Sequence, residues 1–363
     1  MDELKDILFS PFYSEKIDLK NKLVMNPVPS GFVEDGVPLK ENVEFYKSRA
    51  KGVGLITAGA INIVHPTASN NRKVPNIDLE ALPLWRKVTE AVHEFDTKII
   101  AEIWHAGTSR AFAASDLSRN VSSPSGVIGD KKVGEPLTLL EINDIVIAFA
   151  EAAENAKKSG FDGIDIHAAH GSLIHDFLSK ETNKRTDEFG FDQRTMFAEK
   201  VVNACRIRVG DDFPIFMRLS NFKMYDLTTM LADSVDEFEL LIRKLSNSGV
   251  DIFDCSEQSY MDAAIPSKKG NLAYWVKRLA EKPTITTGGL GGTGVLYKEI
   301  PDLVSKVSKK PKNSYKYAQD GEAQLRYKEQ LLKDYKDKAF DLVSFGRPLL
   351  INENWIEEME ENL

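Results

Sequence analysis

Cysteine is nearly missing: Cys205 and Cys255 are the two in 363 residues. Two thiols cannot complete a four-thiolate zinc site or hold an iron–sulfur cluster. They offer no disulfide framework, which points to the reducing cytoplasm. No apolar run reaches the roughly 20 residues a membrane span needs, and the opening "MDELKDILFSPF" has no apolar signal core. Basic charge is also short. Lys and Arg number 47 against 55 Asp and Glu, a net of -8, so neither nucleic acid nor an anionic membrane is expected as a partner. Histidine is scarce, at six. Three of the six, His167, His170 and His175, fall within "GIDIHAAHGSLIHDFLS".

What is present is an alternating pattern. Short β-rich runs read "KLVMNP" (22–27), "GLITAGAI" (54–61), "KIIAEIWH" (98–105), "GIDIHAA" (163–169), "PIFMRLS" (214–220), "DIFDCSE" (251–257), "KPTITTGG" (282–289) and "DLVSFGRP" (341–348). Most are apolar through their middles, as strands covered on both faces should be. Helix patterns lie between them. "LEALPLWRKVTEAVHEF" spaces Leu79, Leu82, Trp85, Val88 and Val92 along one side. Two later helices each open with a capping-box spacing, Thr138 before Glu141 and Ser234 before Glu237, and each stops at a glycine, Gly160 and Gly249. Eight strands alternating with helices predict a (β/α)8 TIM barrel, a single domain over residues 1–363. A doubly wound open sheet is the alternative pattern.

Two segments break the rhythm. Residues 105–137 form an extended polar loop after strand 3, the length of an active-site loop. Residues 291–339 hold a Lys-rich insertion between strands 7 and 8, with a helix expected near Gln319–Lys336. It reads as a solvated excursion, or else as a lid or subunit contact.

In such a barrel the active site lies at the C-terminal strand ends. Those ends carry Asn26 and Pro27, Gly59, Glu102, His167 and His170, Arg218, Gly288 and Gly289, and Gly346 and Arg347. Polar groups gather where an apolar core would continue. "TTGGLGG" and "SFGRP" put glycines in the loops after strands 7 and 8, the usual phosphate position, where Arg347 adds a charge-assisted contact. The pair His167 and His170 lacks a third ligand of metal spacing, so no metal is expected there.

Here the residues carry a resemblance. "HAAHGSLIHDFLSKETNKRTDEFGFDQRTMF", "EIWHAG" and "SFGRPLL" resemble motifs of the old yellow enzyme family, the FMN-dependent ene-reductases and their NADH:flavin oxidoreductase relatives. "LVMNPV", "RAKGVGLITAG" and "TGGL" are further echoes, and the resemblance runs from about Leu8 to Trp355. It implies FMN at the barrel mouth, NADH or NADPH as reductant, and a small-molecule electron acceptor such as an α,β-unsaturated carbonyl compound. It implies that His167 and His170 polarise the acceptor's carbonyl oxygen, by oxyanion-hole logic. It also implies that Asn26, Pro27, Gly59, Glu102 and Arg218 lie along the flavin ring, with Gly288, Gly289, Gly346 and Arg347 at its phosphate. Arg185, Asp187, Glu188 and Arg194 read as a structural cluster pinning the loop below the site, and His105 as a packing residue.

Three positions depart from the family pattern. Ser172 stands where the family has the tyrosine that protonates the substrate, and a serine hydroxyl is a weaker and shorter donor. Water, or Tyr260 from a loop, is the replacement expected. Glu102 replaces a glutamine, and an ionised carboxylate can only accept. Pro29 stands where relatives place a Thr or Cys, and it offers neither a hydroxyl nor an N–H. These changes leave open another substrate class, such as an amine, and an FMN-binding protein with lost turnover. The choice of nicotinamide and homo-oligomer formation also stay open.

Overall fold

The computed structural model describes residues 2–69, 71–110, 121–289 and 321–363. Eight parallel strands close a barrel: β1 (Leu23–Met25), β2 (Leu55–Asn62), β3 (Lys98–Trp104), β4 (Gly163–His170), β5 (Ile215–Lys223), β6 (Ile252–Ser256), β7 (Thr284–Thr287) and β8 (Leu342–Phe345). Each pairs with its sequence neighbours, and β1 closes the ring on β8 through Leu23↔Val343. Closure excludes the open-sheet alternative. A helix follows every strand: α1 (Glu41–Ala50), α2 (Leu82–His93), α3 (Leu139–Lys158), α4 (Met196–Val209), α5 (Val235–Asn247), α6 (Leu272–Ala280), α7 (Gly321–Lys336) and α8 (Trp355–Glu361).

Local chemistry sets the helix ends. Thr138 Oγ1 accepts the Glu141 N–H and the Glu141 carboxylate accepts the Thr138 N–H, a complete capping box on α3. On α5, Ser234 accepts from Glu237, but the Glu237 carboxylate turns to the Asp233 N–H, so that box is half made. Gly160 has φ +85°, which stops α3 where a side chain would be strained. Leu79 is corrected: it precedes α2 and is 75% exposed, because the helix starts at Leu82.

The barrel interior is layered, because side chains alternate along a strand and every second residue points inward. The lowest layer is apolar, with Val24, Leu55, Ile100, Phe216, Ile252, Ile285 and Leu342. Phe12, Ile17 and Leu19 from the N-terminal segment plug it from below, held by the bridge Phe12↔Leu19. Two residues further along, the same inward parity gives Thr57, Glu102, Arg218, Asp254 and Thr287, all buried. The outward faces carry the larger apolar core against the helices, including Trp85, Phe149 and Phe197.

The loop at 105–137 contains more structure than the sequence showed. Val121–Ser123 pairs with Gly134–Pro136, and Val127–Ile128 with Lys131–Lys132. Helix α7 matches the helix expected in the Lys-rich insertion; residues 111–120 and 290–320 lie outside the described residues. Among the described residues no helix is long and apolar enough to cross a membrane.

Candidate active site

A cavity of about 350 Å³ opens at the C-terminal strand ends. Asn26, Pro27, Glu102, His167, His170, Arg218, Gly288, Gly289, Gly346 and Arg347 all line it. Ten of the eleven residues expected from the sequence are thus brought together. Gly59 is the exception: Ala60 lines the cavity, and Gly59 sits behind, where a Cβ would come 2.6 Å from Glu102 Cβ. That close approach lets the Glu102 side chain lie flat against β2.

Glu102 is the hub of the buried charges. Its Oε1 lies 2.8 Å from His167 Nδ1 and 3.8 Å from Arg218 Nε. Arg218 also reaches Asp254, at 2.5 Å, and Thr287 Oγ1 donates to the other Asp254 oxygen at 3.2 Å. Burial pushes the Glu102 carboxyl up, but the His167 charge and hydrogen bond and the Arg218 charge outweigh it and hold the group below the usual range. Asp165, in register beside Glu102, has no hydrogen-bond partner among the described residues on either oxygen. Burial, with Asp254 and Glu102 nearby, pushes its carboxyl well up, which favours its protonated form.

His170 ends β4 with φ +60°, a left-handed conformation uncommon outside glycine but several-fold enriched in histidine. A bulge between Ala168 and His170 lets the turn form, and Ser220 Oγ accepts the His170 N–H at 2.9 Å. The two imidazole centroids are 5.2 Å apart. His170 Nε2 meets Ser256 Oγ at 2.9 Å. Burial first, then the charges of His167, Arg218 and His175, push His170 well below the ordinary histidine range, so the ring is neutral.

Several side chains turn away from the cavity. Ser172 Oγ donates to the His167 carbonyl at 3.0 Å. Tyr260, offered by sequence as a replacement proton donor, is corrected: it is buried and its hydroxyl donates to the Tyr327 carbonyl at 3.0 Å. His175 is buried behind the wall, with Nδ1 taking the Gly171 N–H. His105 packs as expected, with its ring nitrogens bound to the Gly107 N–H and Thr67 Oγ1. In the charged cluster, Arg185 pairs with Asp187 and donates to the carbonyls of Pro124 and Leu137, and Arg194 donates to those of Leu178 and Leu231. Glu188 instead faces Lys200 at the surface.

Sequence reasoning missed Ala60 and Thr287 in the cavity wall and Asp254 beneath it, whereas Trp104, Ser256 and Glu257, also in the wall, lie at strand ends read from the sequence. Glu257 Oε1 accepts the Leu272 N–H at 2.7 Å at the start of α6, while Oε2 has no partner among the described residues. Burial pushes its carboxyl well up.

A mouth with a buried cation at one end and glycine turns with an arginine at the other fits a planar ring carrying one phosphate. A Cβ on Gly346 would come within 3.2 Å of Asn26 Nδ2 and Val28 Cγ1, and one on Gly288 within 2.7 Å of the Glu257 carbonyl, so bare backbone shapes that end. Residues 7–293 match the model of the NADH:flavin oxidoreductase / NADH oxidase family, and the chain belongs to that family. The chain is similar to an NADPH dehydrogenase of Bacillus cytotoxicus, at 31% identity over 78% of this chain and 81% of the relative. It is also similar to a metal reductase of Desulforamulus reducens, at 31% identity over 85% of this chain but 46% of that longer protein. Among solved structures, the old yellow enzyme homologue of Zymomonas mobilis superposes with TM-score 0.76 at 23% identity, covering 98% of this chain and 92% of that one. Morphinone reductase in complex with tetrahydroNAD superposes with TM-score 0.74 at 23% identity, over 98% and 90%. The protein is an FMN-dependent NAD(P)H oxidoreductase of the old yellow enzyme family.

Proposed function

We propose that this barrel takes reducing equivalents from NADH or NADPH and passes hydride to an electron-poor small molecule, an α,β-unsaturated carbonyl compound. The observation that carries this reading is the histidine pair, two rings 5.2 Å apart on the cavity wall beside a buried arginine. FMN, when bound, supplies a two-electron carrier that accepts hydride from one partner and gives it to the next. Asn26, Pro27, Ala60 and Glu102 would border its ring, with Gly59 supporting Glu102, and Arg218 would serve the end that gains negative charge on reduction. Gly288, Gly289, Gly346 and Arg347 would hold its phosphate.

His167 and His170 bind the acceptor's carbonyl oxygen and stabilise the charge that develops there. The acceptor is the finer part of the reading. Anaerobic reduction with each nicotinamide, followed by a panel of enones, tests it: rapid reoxidation by cyclohexenones supports it, and reoxidation by none of the panel overturns it. A second reading rests on Ser172, whose hydroxyl is spent on the His167 carbonyl. A site without the family's tyrosine acid suits an acceptor that needs no proton on carbon, or a flavin protein without turnover. The chain is read as one domain acting in the cytoplasm without nucleic acid or membrane.

A further inference from the structure

The proton that must accompany hydride has no evident source among the family's usual groups. Ser172 donates inward to a carbonyl, Tyr260 donates to Tyr327, and His170 is neutral with Nε2 on Ser256. His167 differs. Its Nδ1 faces a carboxylate at 2.8 Å, and an ionised carboxylate can only accept, so Nδ1 carries a hydrogen. The ring lines the cavity, which leaves Nε2 as the nitrogen available to a ligand. A neutral ring with its hydrogen on Nδ1 would present a lone pair to a carbonyl oxygen, and two acceptors repel.

We propose that Glu102 makes His167 the acid of this site: the ring carries hydrogens on both nitrogens and passes the one on Nε2 to the acceptor's oxygen. The inference rests on the proposed reduction of a conjugated carbonyl. The acceptor gains hydride at its β-carbon, with two electrons that originate in NAD(P)H. The N–H bond of Nε2 breaks as an O–H bond forms, giving an enol. His167 is left neutral, its remaining hydrogen kept on Nδ1 and donated to Glu102, and solvent returns a proton to Nε2. The enol leaves and becomes the ketone in solvent, so no side chain need reach the α-carbon. This accounts for two departures together: the glutamate that fixes the histidine and the missing tyrosine acid.

The surroundings agree. Glu102 from β3 faces the ring directly, Arg218 from β5 and Asp254 from β6 form the next ion pair, and His170 and His175 flank it on its own segment. Glu102 is held ionised against the cost of burial by this contact and by Arg218. A buried carboxylate with a hydrogen-bonded imidazolium is a matched pair, whereas either charge alone would be costly. Glu102 acts through His167 and is a positioning residue.

Nitrogen-15 NMR of the oxidised holoenzyme, labelled at histidine and assigned with His167→Gln, tests the pair without turnover. At neutral pH both His167 ring nitrogens should carry hydrogen, and in Glu102→Gln one should become bare. One bare nitrogen in the wild type, or no difference between the two proteins, overturns the proposal. Reduction of 2-methylcyclohex-2-enone in D2O reads the second half. Deuterium should enter both faces of the α-carbon, and Glu102→Gln should slow reoxidation about 10²-fold. Deuterium on one face would place a fixed donor at carbon and overturn oxygen protonation. If no enone reoxidises the flavin, the proposed acceptor class fails, and the NMR result still decides the Glu102–His167 pair.

Discussion

Glu102 stands where three demands meet: it holds His167, it faces Arg218, and it lies against the Cα of Gly59. A carboxylate at this place would oppose the negative charge of a reduced flavin, but the His167 imidazolium balances it, and Arg218 is already bound to Asp254. Glu102→Gln removes both charges of the pair, so the flavin reduction potential should move by less than about 30 mV, the equivalent of about 1.4 kcal/mol for a two-electron couple. Spectroscopic redox titration checks this, and a larger rise in the variant contradicts it. Gly59→Ala should shift the same carboxylate, because a methyl there would lie 2.6 Å from Glu102 Cβ; loss of the His167 nitrogen-15 signature would report it. Ser172→Ala should leave the rate of reoxidation by an enone nearly unchanged in stopped flow. His167→Ala combined with His170→Ala should slow it by roughly 10²-fold or more, the scale of losing an oxyanion donor.

Caps and strand ends were the legible elements. Thr138 and Glu141 are spaced for a box and form one, so Thr138→Ala should cost about 1 kcal/mol of stability, measured by urea denaturation. Strands were visible because their middles are apolar on both faces. Their inward polar residues were harder to see, although the parity was present: Ile100 to Glu102, Phe216 to Arg218 and Ile252 to Asp254 are each two apart. An apolar run interrupted once reads as a strand, and nothing in one strand shows that its neighbours place their polar residues at the same height. Register across the barrel does that. The short helix Leu173–Leu178 carries another group that sequence did not single out. Burial pushes the Asp176 carboxyl up to about 7, against the Lys223 charge and the Thr108 hydrogen bonds. The folded state then holds this proton more tightly than the unfolded chain, whose aspartates titrate near 3.9. Its stabilising effect is complete below about pH 4 and is lost as pH rises toward about 7, with a slope of up to ~1.4 kcal/mol per pH unit. Asp176→Asn should remove that slope from denaturation curves taken between those values; an unchanged slope would contradict the assignment.

At the scale of the molecule, the fold follows from alternation, and the site follows from where alternation puts the strand ends. The plugged apolar floor, the buried ionic layer and the open mouth stack in order along one axis, so the chemistry sits above a buried apolar layer. Which side chains point into the mouth was less legible than which residues reach it. Ser172 and Tyr260 both belong to strand-end loops, yet each hydroxyl is taken by a backbone carbonyl, a fact set by packing rather than by position in the chain. The paired glycine turns with Arg347 suit one terminal phosphate, so the flavin released on denaturation should be FMN, and recovery of FAD would contradict that assignment. The central claim is that the mouth moves hydride from a nicotinamide to a conjugated carbonyl. Anaerobic stopped flow tests it in one experiment: NADPH or NADH is mixed with the holoenzyme, and cyclohexenone follows. The flavin absorbance should bleach with the first and return with the second. An absorbance that never bleaches, or that bleaches and stays reduced in cyclohexenone, would contradict the account.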